Sequence, residues 1–143
     1  MHIHNIVERY AEGERDFSGA DLRGAQLEGA VLSGSDLRDA DLSGATLNGA
    51  LLWGVNLLGA HLESASLRGT DLRRATLMGA NLQGADLTEA LLVGSDLTNA
   101  TLRGANLSHA NLYYALLDPE GREIAIKAGA TIYDAALSLA RTQ

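Results

Sequence analysis

The chain has 143 residues, 18 Asp and Glu against 11 Lys and Arg, and a net charge of -7. That length suits one domain, and the acidic balance argues against nucleic acid or an anionic membrane as a direct ligand. The absence of Cys fits a reducing compartment. With no secretory pattern and no stretch near the ~20 apolar residues of a membrane span, a cytoplasmic location is expected.

Residues 1–15, MHIHNIVERYAEGER, differ in pattern from the rest of the chain. Ile3, Ile6, Val7 and Tyr10 recur at spacings of three and four, which predicts one amphipathic helix ended by Gly13. His2 and His4 offer two nitrogens beside the N-terminus, but no third ligand accompanies them. They are read as a polar start, and His61 and His109 as solvent-facing variants. No metal or cofactor is expected.

From Asp16 to Leu117 the chain runs in fives: DFSGA DLRGA QLEGA VLSGS DLRDA. Phe17 and then a Leu at every fifth position give twenty-one consecutive units. A small residue sits two places before nearly every one of them, and Gly two places after most. A helix would spiral these leucines around its axis, and a straight strand would alternate their faces. A short extended piece followed by a bend keeps each small residue and its Leu on one side, with Gly easing the bend. Repetition winds a solenoid with Ala and Leu inside. Its open end needs a cover, which residues 1–15 are expected to supply, with Ile6 and Tyr10 near Phe17.

The departures set the number of units per turn. Apolar residues replace the polar one before Leu at Val31, Leu51, Leu91 and Leu116. The residue after Leu is apolar or aromatic at Trp53, Leu58, Met78, Val93 and Tyr113. All but Leu116 fall into sets spaced by multiples of twenty. Four units per turn follow, hence a square cross-section and about five coils.

Units such as ADLRG, ADLSG, ANLQG and ADLTE resemble the pentapeptide-repeat family, whose pattern is A(D/N)LXX. The resemblance covers Asp16–Leu117. It implies an all-β solenoid, a right-handed quadrilateral parallel β-helix. Some members of that family inhibit or protect DNA gyrase as DNA mimics. Cyanobacterial members that regulate cell differentiation present one solenoid face to a regulatory protein. In quinolone-resistance and mycobacterial members the C-terminal part forms a dimer.

The Asp and Asn before each Leu admit two readings: an acidic ladder imitating phosphates, or side chains that satisfy backbone groups near a bend. The outward apolar residues have no such local use. On a twenty-residue turn, Val31, Leu51, Trp53, Leu91, Val93, Tyr113 and Tyr114 share one side, interrupted by Asp71, Arg73 and Arg74. Leu58 and Met78 lie on the adjoining side. Aromatic and aliphatic clusters on a surface mark contact sites. The candidate protein-contact set is therefore Val31, Leu51, Trp53, Leu58, Arg73, Arg74, Met78, Leu91, Val93, Tyr113 and Tyr114.

Residues 118–143 are expected to cover the other end. Asp118-Pro119-Glu120-Gly121 reads as a turn, and Ile124 and Ile126 as a short strand. Ala130-Thr131-Ile132 reads as one last repeat triad, and YDAALSLAR as a short helix with Ala136, Leu137 and Ala140 inward. No nucleophile elbow, phosphate loop or zinc spacing is present, and a Leu/Ala core leaves no substrate cavity, so no enzyme is expected. Two functions remain. One is an interaction scaffold for a protein partner or a homodimer, through the apolar face or the C-terminal segment. The other is a gyrase-directed DNA mimic acting as a dimer, because one rod of ~25 Å matches only about seven base pairs.

Overall fold

A computed structural model describes residues 3–133, with side chains from Ile6 onward. Each repeat unit forms one bridge and one turn. In the unit 41–45, Asp41 N donates to Ala20 O of the coil before (2.9 Å), while Leu42 N and Gly44 N donate to His61 O and Glu63 O of the coil after (2.7 and 2.9 Å). Ala45 N closes the turn onto Leu42 O at 3.0 Å. The fifth donor, Ser43 N, has no backbone partner and is taken by Asp41 Oδ1 at 3.0 Å. All five amides of the unit are thereby satisfied, as a wound backbone near its core requires.

Parallel bridges join residues twenty apart, from Asp16↔Asp36 to Asp96↔Leu116. Four such ladders start at Asp16, Asp21, Gln26 and Val31, so each coil has four sides. The fourth residue of each unit has a positive φ, 67° at Gly44, which marks a type II turn. At Gly59 a Cβ would also stand 2.5 Å from Asp39 Oδ1 of the coil before, so a side chain there would have to push that carboxylate aside. Seven non-glycine residues nevertheless adopt this conformation, among them Arg74 and Tyr114. The bend is thus imposed by the coil hydrogen bonds, and glycine only relieves it.

The interior is a continuous stack of leucine and alanine running from Phe17 to Leu112. Three hydroxyls enter it. Thr70 Oγ1 donates to Leu47 O at 2.8 Å, whereas Ser35 Oγ and Ser95 Oγ are buried without a partner.

Helix α1 (Ile3–Ala11) covers the first coil. Ile6 is fully buried in the same cluster as Phe17, and Tyr10 Oη donates to Ser33 O at 2.7 Å. The helix ends at Gly13 in a Schellman motif, with Glu14 N on Arg9 O and Gly13 N on Tyr10 O.

At the other end the structure corrects the sequence reading. Ile124 and Ile126 do not form a strand, and residues 118–121 are no simple turn. Both belong to helix α2 (Pro119–Ala128). Asp118 is its N-cap and accepts from Gly121 N at 2.9 Å, Pro119 opens the first turn, and Gly129 stops it with φ 82°. Capping at both ends outweighs a two-residue alternation. Gly121 and Ala125 are buried against the last coil, so α2 lies across the end that a further coil would otherwise occupy. The chain then rejoins the ladder: β2 (Thr131–Ile132) pairs in parallel with β1 (Asn111–Leu112), Asn111 with Thr131 and Leu112 with Ile132. The order is helix, then strand. The helix expected within 133–141 and the side chains of His2 and His4 lie outside the described residues.

A candidate protein-contact face

Side-chain position within a unit decides what faces outward. The small residue and the Leu point in; the residues before and after the Leu point out. The ladder Val31↔Leu51↔Asp71↔Leu91↔Asn111 builds one such side, and Trp53, Arg73, Val93 and Tyr113 stand beside it. The structure therefore brings together the candidates of the first set, with Arg74 and Tyr114 at the bend of the same side. Val31, Leu51, Trp53, Leu91 and Tyr113 are exposed, and Tyr114 is the most open at 72%. Leu58 and Met78 are also exposed but stand one side round, a separate and smaller pair. Leu116 is exposed on that adjoining side too.

The structure adds Tyr133 to the candidates. It follows β2, one coil beyond Tyr113, and its ring stacks on Tyr114 at 5.9 Å, with Tyr113 and Tyr114 at 6.0 Å. The signal is present in the sequence, since 133 is 113 plus twenty, but the helical pattern of YDAALSLAR masks it. Four of the chain's six aromatic residues thus occupy one side; Tyr10 and Phe17 serve the N-terminal end.

The charges midway along this side are arranged, not scattered. Asp71 is only 8% exposed. Its carboxylate accepts from Arg73 Nε and Nη2 at 2.9 and 2.7 Å and from Arg73 N at 3.1 Å. Those side-chain bonds from Arg73 hold the carboxyl below its ordinary range against the opposing effect of burial. Arg74 has no protein partner among the described residues. Among those residues the apolar side thus carries one acid, already neutralised, and one free cation.

The backbone shows what the aliphatic residues displace. Every Asp and Asn before a Leu or before Phe17, from Asp16 to Asn111, accepts from the N–H two residues on, at 2.9–3.3 Å. This is the backbone-satisfying role. Val31, Leu51 and Leu91 cannot play it. Ser33 Oγ of the coil before stands in at Trp53 N, at 3.1 Å; the N–H groups of Ser33 and Val93 have no acceptor among the described residues. Among those residues no group of His, Asp or Glu could hold a metal ion, and no helix is long and apolar enough to cross a membrane.

The profile of the family described as Pentapeptide repeats matches in 8 copies over residues 16–54, 56–92 and 80–117. The chain belongs to the pentapeptide repeat family. Members of this family fold as right-handed quadrilateral β-helices and are generally non-enzymatic structural or interaction proteins. A pentapeptide repeat protein from Nostoc Pcc 7120 is 36% identical, with 91% of this chain and 94% of that one covered and a TM-score of 0.57. One from the Arabidopsis thaliana thylakoid lumen is 31% identical over 85% of this chain and 81% of its own, with a TM-score of 0.58. QnrB1, a plasmid-mediated fluoroquinolone resistance protein, is 21% identical over 92% of this chain and 73% of its own, with a TM-score of 0.52; that likeness shows the fold alone. Among curated proteins no sequence match is found.

Proposed function

We propose that this pentapeptide repeat protein is a non-enzymatic interaction scaffold that holds a protein partner on its apolar side. The observation that carries the reading is the displaced cap. At Val31 and Leu91 an outward aliphatic residue stands where Asp or Asn would satisfy a backbone amide, and at Leu51 that duty passes to Ser33 Oγ of the coil before. Each such hydrogen bond contributes about 0.5–1.5 kcal/mol, so folding alone favours the polar residue. Residues kept at the expense of stability have another use, and a half-exposed aliphatic and aromatic strip suits protein contact.

The test compares wild type with Trp53→Glu for proteins captured from an extract of the source cells, with circular dichroism as the folding control. The partner is expected to disappear with the substitution while the fold remains. Capture of the same proteins by both forms would remove the apolar side from consideration.

The gyrase-mimic reading draws on the acids of the other three sides. Many of those carboxylates are engaged: Asp21 with Arg23 at 2.8 Å, Asp36 with Arg38 at 2.6 Å, and each also caps a backbone amide. A supercoiling assay with purified gyrase separates the two readings; inhibition unaffected by Trp53→Glu would favour the mimic.

A further inference from the structure

We propose that the apolar side takes an extended, proline-rich segment of the partner, in the left-handed polyproline conformation, with an acidic residue set on Arg74. The inference rests on the scaffold reading above and names the chemistry of its partner. Three observations lead to it.

The first is width. One side is about three extended residues across, ~10 Å, and its five coil steps from Val31 to Thr131 span ~24 Å. The face is thus a narrow strip, more than twice as long as it is wide. The face suits a slender segment better than a second copy of this chain.

The second is period. Coils stack at ~4.8 Å, so Trp53, Val93 and Tyr133, in alternate coils of one column, recur every ~9.6 Å. A polyproline helix advances ~9.3 Å per three-residue turn. Its repeat therefore stays in step with this column over its length. An α-helix turns every ~5.4 Å, against ~4.8 Å per coil, and drifts out of step.

The third is exposed donors. The Trp53 indole N–H, the hydroxyls of Tyr113, Tyr114 and Tyr133, and the Arg74 guanidinium have no protein acceptor among the described residues. A polyproline backbone makes no internal hydrogen bonds and offers its carbonyls to such donors. An α-helix consumes its own. Aromatic rings beside proline rings complete the match. Asp71 is occupied by Arg73, so the remaining charge is positive and asks for a carboxylate.

Trp53 is the chain's single tryptophan, so its emission reports on this face directly. The probe is a synthetic peptide with one central Glu flanked on each side by a short run of prolines, titrated into the full chain. A saturable blue shift is expected below about 1 mM. A Lys in place of the Glu should weaken binding about two- to fivefold, the range of an exposed ion pair, and Arg74→Glu should reverse that preference. No shift up to about 1 mM, or equal binding by an alanine-based helical peptide with the same central Glu, overturns the proposal. So does a wild-type dimer split by Trp53→Glu, which gives the face to a second copy. So does a red shift produced by Leu137→Glu alone, which gives it to residues 134–143. Loss of captured partner with Trp53→Glu, without peptide binding, would leave the scaffold reading intact and remove only this one.

Discussion

Two sides of the solenoid share one backbone and one core yet differ in most of their outward residues. Ten residues on from the apolar side, half a coil away, runs the ladder Asp21↔Asp41↔His61↔Asn81↔Thr101, flanked by Arg23, Ser43, Glu63, Gln83 and Arg103. No apolar side chain faces out there. Its groups bond to one another: Arg23 to Asp21, Ser43 to Asp41 and Glu63, Asn81 to Glu63 at 2.7 Å. His61 joins them, with Nδ1 3.4 Å from Glu63 Oε1, so it is more than an isolated solvent-facing variant. Burial pushes the Glu63 carboxyl up, but hydrogen bonds from its own amide, Ser43 and His61 outweigh that and hold it low. The polar side is what folding makes of this repeat when nothing else is asked. The apolar side is the departure, and that difference is why the proposed contact is assigned to it.

The largest expected effect should be the same on both sides. Leu72, behind the apolar side, and Leu82, behind the polar side, are both fully buried. Truncation of either to Ala should cost about 2–5 kcal/mol in chemical denaturation. A loss well below about 2 kcal/mol at either position would mean that this leucine is not part of the shared core.

Outward substitutions should then split the sides. Leu91→Asn restores an acceptor for the Val93 amide and is expected to raise stability by up to about 1 kcal/mol while weakening partner capture. A loss of more than that in a melt would make Leu91 a folding residue. At the corner beside the apolar side, Ser95→Ala removes a buried hydroxyl that has no partner. A gain of about 1 kcal/mol is expected, with partner capture unchanged.

Acid should act mainly away from the apolar side. Arg23 bonds to the Asp21 side chain and lowers its carboxyl to about 2, below the ~3.9 of an unfolded chain. A depressed carboxyl contributes stability that is fully present above the unfolded value and lost as pH falls through the folded one. The contribution of Asp21 should therefore fade between about pH 4 and 2. Asp21→Asn keeps the cap on the Arg23 amide but removes the charge, so its melting temperature should fall less over that interval than that of wild type.

Most of the fold can be read from the sequence because one physical rule is repeated at every fifth residue. Leu117 marks where that rule stops, and there the expectation of a turn and a strand fails. The helical caps Asp118 and Gly129 are single residues with no repetition behind them, and Ile124 and Ile126 imitate a strand. The face is legible for a different reason. Trp53, Val93 and Tyr113 break a pattern strict enough to make exceptions stand out, whereas Tyr133 lies past Leu117, where the helical pattern of YDAALSLAR hides its twenty-residue step from Tyr113. Distances supply what spacing could not: that Arg73 is tied to Asp71 while Arg74 is free among the described residues, and that the Ser33 and Val93 amides lack their caps.

The most direct test of the central claim is site-specific photocrosslinking in the source cells, with a benzophenone side chain at position 53 or at position 63 of the full chain. Position 53 is expected to yield a discrete protein adduct and position 63 none. Equal adducts from both positions, or an adduct from position 63 alone, would contradict the assignment of contact to the apolar side.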